Sequence, residues 1–120
     1  MRLRADIWVA AYLRRCAVEG AQAYLTRRGS PEAGAIFVRL DRLDGRVALF
    51  APAPQSELDD SGDRRFARRH REEWIDAAAA AEAIRREGEF DPDLWLVDVD
   101  DRAGRHFLDL AEGSAAPPRN

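Results

Sequence analysis

Apolar residues recur at two different spacings along the chain. Over residues 32–54, EAGAIFVRLDRLDGRVALFAPAP, they alternate on either side of Asp44 and Gly45. Alternation is the mark of a strand with two unlike faces. An Asp-Gly pair suits a two-residue type I′ turn, in which both central residues need positive φ. The pattern predicts a β-hairpin with Leu43 and Arg46 flanking the turn, Leu40 facing Leu49, and Arg39 facing Phe50. Ile36, Val38, Leu40, Val47 and Leu49 would share a core-like face. Phe37, Arg39, Asp41, Ala48 and Phe50 would share a mixed one. Pro52 and Pro54 lack the amide hydrogen that a ladder needs, so the second strand should end near Phe50.

Helical spacing predominates elsewhere. Asp6 to Val18 predicts a helix, with Asp6 as N-cap and Gly20 as the stop. Val9, Leu13, Cys16 and Ala17 would form its buried stripe, with Trp8 and Tyr12 as a second apolar edge. Asp76 to Glu87 predicts another, capped by Asp76 and closed at Gly88, with Ala77, Ala80, Ala81 and Ile84 inward. Alternation returns in Ala21 to Arg28 and in Leu94 to Asp100, where Trp95, Val97 and Val99 share one face. The first of these, with the hairpin, predicts a three-stranded antiparallel meander. Arg105 to Leu110, after the turn Asp101 to Gly104, predicts a returning strand. Arg65 to Arg71 suits an edge strand, although Phe66, His70 and Trp74 also carry helical spacing. Residues 55–63, QSELDDSGD, read as a polar loop, and residues 111–120 as a disordered tail.

Together these elements predict one α+β domain over residues 1–110. It would be a mainly antiparallel sheet of five to six strands with two helices packed on one face. A chain of 120 residues with 46% hydrophobic and 34% charged residues buries enough surface to fold without metal or disulfide. Cys16 is the only cysteine, which excludes an internal disulfide and Cys-Cys zinc motifs. No apolar run approaches the roughly 20 residues of a membrane helix. The apolar run Ile7 to Leu13 is followed at once by Arg14 and Arg15, unlike a secretory signal. A cytoplasmic location is expected, with no membrane partner and no cofactor.

Charge adds three candidates. The run Arg64, Arg65, Phe66, Ala67, Arg68, Arg69, His70, Arg71 holds five arginines and no acid. Arginines interleaved with an aromatic can contact phosphates and stack a base. A net charge of −3 weighs against nucleic acid, and residues 87–101 carry seven acids that would neutralise the run if they lay beside it. All 19 basic residues are arginine, so arginine itself carries little functional meaning. His106 with nearby aspartates could do acid–base chemistry. Asp98, Asp100, Asp101 and His106 form an oxygen-rich set, but their spacing is not that of a calcium loop, and no metal is expected. The third candidate is the mixed hairpin face, Phe37, Arg39 and Phe50, as a contact surface for a protein partner or for a second copy in a homodimer. The sequence favours this non-enzymatic interaction or regulatory role over phosphate binding and over catalysis.

The runs DIWVAAYLRRC, EAGAIFVRLDRLDG, FDPDLWLVDVDD and GRHFLDL resemble an alphaproteobacterial family of proteins of unknown function, the domain family numbered 1491. The resemblance extends from Leu3 to Leu110. It implies a bacterial, cytoplasmic, single-domain protein and brings no activity, cofactor or catalytic residue with it.

Overall fold

The computed structural model describes residues 3–54 and 64–111. The acidic loop at 55–63 lies outside the described residues, as does the tail expected over 111–120 except for Ala111, whose amide bonds to Phe66. The chain runs α1 (Ala5–Val18), β1 (Gln22–Arg27), β2 (Ile36–Asp41), β3 (Val47–Pro52), β4 (Phe66–Arg68), α2 (Ala77–Phe90) and β5 (Trp95–Asp100). The five strands form one sheet in the order β1-β5-β2-β3-β4. Every pairing is antiparallel except β2 with β5.

The expected meander is therefore corrected. β1 does not pair with β2, because β5 enters between them. Burial explains the order. Trp95, Val97 and Val99 are buried on one face and Leu96 on the other, with Asp98 and Asp100 half-buried, so β5 belongs in the middle of a covered sheet. β1 alternates between exposed and half-buried residues, as an edge strand does. The expected strand at Arg105 to Leu110 is corrected as well. This segment is irregular, with φ of 57° at Phe107, and its one β-type pairing with the described sheet is a bridge between Phe66 and Leu110.

The hairpin joins β2 to β3, but not in the expected register. Residues 42–46 connect the strands, closed by Arg42 N–H donating to the Arg46 carbonyl at 3.0 Å. Both Leu43 and Gly45 take positive φ, 66° and 87°. The Asp41 carboxylate holds the Leu43 amide at 2.7 Å. This longer connection pairs Leu40 with Ala48 and Arg39 with Leu49, one residue away from the two-residue turn. A one-residue slip turns every side chain of the strand over. Ala48 and Phe50 therefore join Ile36, Val38 and Leu40, whereas Leu49 lies with Phe37.

The helices occupy opposite faces, which corrects the expectation of two helices on one face. Ala5, Val9, Tyr12 and Cys16 of α1 pack with Ile36, Val38, Leu40, Phe50, Trp95, Val97 and Val99. Ala83 and Ile84 of α2 pack with Phe37, Leu49, Ala51 and Leu96. The stripe of α1 turns toward Tyr12, leaving Ala17 exposed and Leu13 half-buried, because the Tyr12 hydroxyl donates to the His106 carbonyl at 2.6 Å. Trp8 stacks on Tyr12 at 4.9 Å between ring centroids and meets Phe66 at 5.1 Å. In α2, Ala80 is buried while Ala77 and Ala81 are exposed.

Both helix ends show how the local sequence works. The first two amides of α1 are taken by backbone, and the third, on Ile7, by the Asp6 carboxylate at 2.8 Å. Ala5 donates to the Glu32 carbonyl at 3.2 Å and Asp6 to the Pro31 carbonyl at 2.9 Å. Asp6 thus sits inside the first turn, not at the cap. The other end is a Schellman closure on Gly20, at φ of 85°. Ala21 N–H donates to the Cys16 carbonyl and Gly20 N–H to the Ala17 carbonyl. Asp76 caps α2, accepting from the Ala79 amide at 2.7 Å. Gly88 does not stop this helix, which runs on to Phe90. A Cβ there would come 2.7 Å from Nη1 of Arg27, whose Nη2 donates to the Pro92 carbonyl at 2.8 Å.

Replacing Asp76 with Ala should lower stability by about 1 kcal/mol, the usual worth of an N-cap side chain. Urea unfolding followed by circular dichroism measures it. An unchanged midpoint would mean that α2 docks on the sheet without needing its cap.

Candidate functional site

The second face of the sheet is only partly covered by α2. Beyond Phe37, Leu49, Ala51 and Leu96, strand alternation and register place Gln22, Tyr24 and Thr26 of β1, Asp98 and Asp100 of β5, and Arg39 and Asp41 of β2 on that same face. Arg39 grips Asp98 with two bonds, Nε to Oδ1 at 2.5 Å and Nη2 to Oδ2 at 3.0 Å. The Thr26 hydroxyl donates to the same carboxylate. A paired, hydrogen-bonded carboxylate is how a half-buried charge is tolerated on a sheet. Burial, with the charges of Asp41 and Asp98, raises the pKa of Asp100.

This arrangement separates the residues expected to form a partner surface. Phe37 is 4% exposed and lies under α2, and Phe50 is fully buried on the α1 face. Arg39 alone remains half-buried on the α2 face, already bonded to Asp98.

The arginine run is mostly engaged within the fold. Arg64 donates to the Leu3 carbonyl at 3.0 Å, and Arg65 lies 3.9 Å from Asp109. Arg68 donates to the Glu73 carbonyl and sits over the Phe50 ring, where burial lowers its pKa. Arg69 pairs with Glu87 at 2.7 Å, which joins this run to the acidic segment at 87–101. Arg71 is exposed. Arg64, Arg65, Arg68 and Arg69 are thus engaged by carbonyls, a ring and two carboxylates, and the run is spread from just before β4 to the turn after it.

Of the edge strand expected over Arg65 to Arg71, Phe66–Arg68 forms β4. Beyond Arg68 the edge is completed by a side chain. Leu49 N–H, on a fully buried residue, donates to His70 Nε2 at 3.0 Å. An accepting Nε2 puts the proton on Nδ1, which then donates to the Glu72 carbonyl at 2.8 Å. His70 therefore stands in for a strand carbonyl until Ile75 resumes pairing with Val47. Burial lowers the pKa of His70, and the charge of Arg68 acts the same way. Nothing in the sequence around His70 pointed to this role.

His106 has a different setting from the one expected of an acid–base residue. Its Nδ1 accepts from the Leu108 amide at 2.9 Å, and its ring lies 5.1 Å from that of Phe50. Burial and the Arg68 charge lower its pKa. The aspartates offered as its partners point elsewhere. Asp98 is on the other face with Arg39. Asp101 accepts from Arg105 at 2.7 Å and 3.0 Å, which lowers its pKa. Among the described residues no group of three or more His, Cys, Asp or Glu side chains could hold a metal.

The two edges of the sheet are unlike. On the β4 side, Phe66 N–H donates to the Asp109 carbonyl and Ala111 N–H to the Phe66 carbonyl, both at 2.9 Å. The segment after Phe107 thus closes that edge. On the β1 side, β5 is the sole pairing strand, and no described segment lies along the outer edge. Over Gln22–Thr26, QAYLT, this edge has no charge and no proline. Such an edge lacks the usual protections against pairing.

These features define a small α+β domain with one helix on each face of a single mixed sheet, one edge of which is closed. The chain belongs to the family DUF1491, described as a protein of unknown function, whose model matches residues 3–109. It is similar to a protein of A. tumefaciens solved in solution, with 37% identity, a TM-score of 0.81, and coverage of 97% of this chain and 100% of the other. A DUF1491 family protein of Caulobacter crescentus CB15 is similar as a crystal structure, with 34% identity, a TM-score of 0.75, and coverage of 98% and 100%. An NMR structure from the same organism shares 36% identity, with a TM-score of 0.72 and coverage of 98% and 99%. No curated protein matches the chain significantly.

The His70 geometry has a pH signature. A histidine whose folded pKa lies below its ordinary value of about 6.5 stabilises the fold fully above that pH, and loses its contribution as pH falls toward the folded pKa. Stability in urea should therefore decline from about pH 7 to pH 5, and His106 adds a decline of the same sign. The variant H70Q keeps an acceptor for Leu49 without titrating, so its decline should be shallower. The variant H70A strands the buried Leu49 amide and should cost about 1–3 kcal/mol at neutral pH. Equal pH slopes in H70Q and the parent chain would refute this role.

Proposed function

We propose that this protein is a non-enzymatic interaction module that docks an extended segment of a protein along the outer edge of β1. The observation that carries this reading is the asymmetry of the sheet. Asp109–Ala111 close the β4 edge, whereas the β1 edge presents Gln22–Thr26, a stretch without charge or proline in a chain with 34% charged residues. Strand addition supplies affinity through main-chain hydrogen bonds and specificity through alternate side chains. Here those side chains are Tyr24, 48% exposed, with Gln22 and Thr26 on one face, and half-buried Ala23 and Leu25 on the other.

The interior polar groups fit a binding role better than a chemical one. Arg39, Asp98 and Thr26 satisfy each other, and His70 completes a ladder. We place the protein in the cytoplasm. Two observations support this: the single thiol, Cys16, is free and buried, and no helix among the described residues is long and apolar enough to cross a membrane.

A synthetic peptide with the sequence of residues 21–27, AQAYLTR, is a suitable extended probe. In an NMR titration it should shift the amides of Gln22 to Thr26 and slow the exchange of those not bonded to β5. The same peptide N-methylated at alternate residues loses its donors and should bind at least tenfold more weakly, as several hydrogen bonds disappear. Shifts elsewhere on the sheet, or none, would overturn the assignment of β1.

A further inference from the structure

The outer edge of β1 fits one occupant especially well, and this inference rests on the docking role just proposed. We propose that β1 pairs antiparallel with β1 of a second copy, with Tyr24 on the twofold axis.

Strand geometry limits the choices. Backbone N–H and C=O groups point to alternate sides of a strand, so the outward groups all belong to residues of one parity. A symmetric antiparallel pair must therefore place its axis on a residue rather than between two residues. An axis on Ala23 pairs too little of the strand. An axis on Leu25 runs through the irregularity between Leu25 and Arg27 and sets Ala23 against Arg27. An axis on Tyr24 pairs Gln22 with Thr26, Ala23 with Leu25, and Tyr24 with its own copy, and leaves the irregularity at the end.

The side chains agree with that register. Directly opposed residues lie on the same face of a sheet. Gln22, Tyr24 and Thr26 would form a polar row with an aromatic pair at its centre. Ala23 and Leu25, half-buried and packed against the α1-side core, would form an apolar row that continues that core across the axis. No like charges oppose each other, because Gln22–Thr26 has none. A partner recognised by charge would find nothing to read along this edge, whereas the strand complements itself. The product is one continuous sheet with β4 at both ends, each already closed by Asp109–Ala111.

The test uses the full chain in sedimentation velocity over a concentration series, with amide exchange read by NMR. Monomer and dimer should exchange with concentration, and protection of Gln22 to Thr26 should rise with the dimer fraction. Tyr24 is exposed, so substitutions there leave the core intact. The variants Y24K and Y24E each place like charges on the axis and should weaken the dimer by about tenfold or more. An equimolar mixture of the two should restore it, because the opposed charges are then unlike. A structural defect at position 24 would not be rescued by mixing. A dimer that forms equally well in both variants overturns the proposal, because its interface lies elsewhere. A chain that stays monomeric also overturns it. The edge role survives that second result if the AQAYLTR peptide still shifts Gln22 to Thr26. It fails with it if those amides are already protected in the monomer, which would mean that another part of the chain holds the edge.

Discussion

The whole arrangement depends on β5 lying parallel to β2 and antiparallel to β1. A strand buried on both faces loses solvent from both, so both faces must be covered. Trp95, Val97 and Val99 take the α1 face and Leu96 the other, which draws α2 to the side opposite α1. The same placement sets Asp98 between Thr26 and Arg39, so that these polar side chains satisfy one another on the partly covered face. It also moves β1 to the rim. One strand position thus accounts for the two-sided core, the neutralised centre of the second face and the open edge.

The loop that carries Gly29 and Gly34 locks this strand in place. The Trp95 indole donates to the Ser30 carbonyl at 2.8 Å, and Trp95 N–H donates to the Ala35 carbonyl at the same distance. A Cβ on Gly29 would come 2.6 Å from Trp95 Cδ1, and one on Gly34 2.9 Å from the same atom. Glycine is needed at both positions because backbone lies against the ring. The Arg28 guanidinium covers the indole 5.4 Å from its centroid.

Much of the local structure was legible in the sequence. Gly20 gave the end of α1 and Asp76 the start of α2, because caps are set by neighbouring residues. The alternation of Trp95, Val97 and Val99 gave a face correctly. What escaped depends on residues far apart in the chain. In β3, Val47, Ala48, Leu49, Phe50 and Ala51 are all at most 2% exposed, so alternation held no information about which way each side chain points. Register then rested on the connection, and Leu43 adopted a left-handed conformation that its residue type gave no reason to expect. The partner surface of Phe37, Arg39 and Phe50 failed for the same reason. Strand order was hidden too, although the contrast between QAYLTR and WLVDVD already separated an edge from a centre. His70 had no local signature, because its role is to complete a ladder against Leu49.

The pairing of Gln22 with Asp100 also has a consequence in time. During synthesis β1 emerges early, yet among the described residues its strand partner is β5, the last strand made. Until β5 arrives, the parallel centre of the sheet has no middle, although β2, β3 and β4 can already pair in turn. Long-range closure of this kind is slow because the ordering of a long loop precedes its reward. The nascent chain therefore spends its synthesis with the uncharged strand Gln22–Thr26 unpaired on both sides, a period in which its affinity for other strands is a hazard rather than a function.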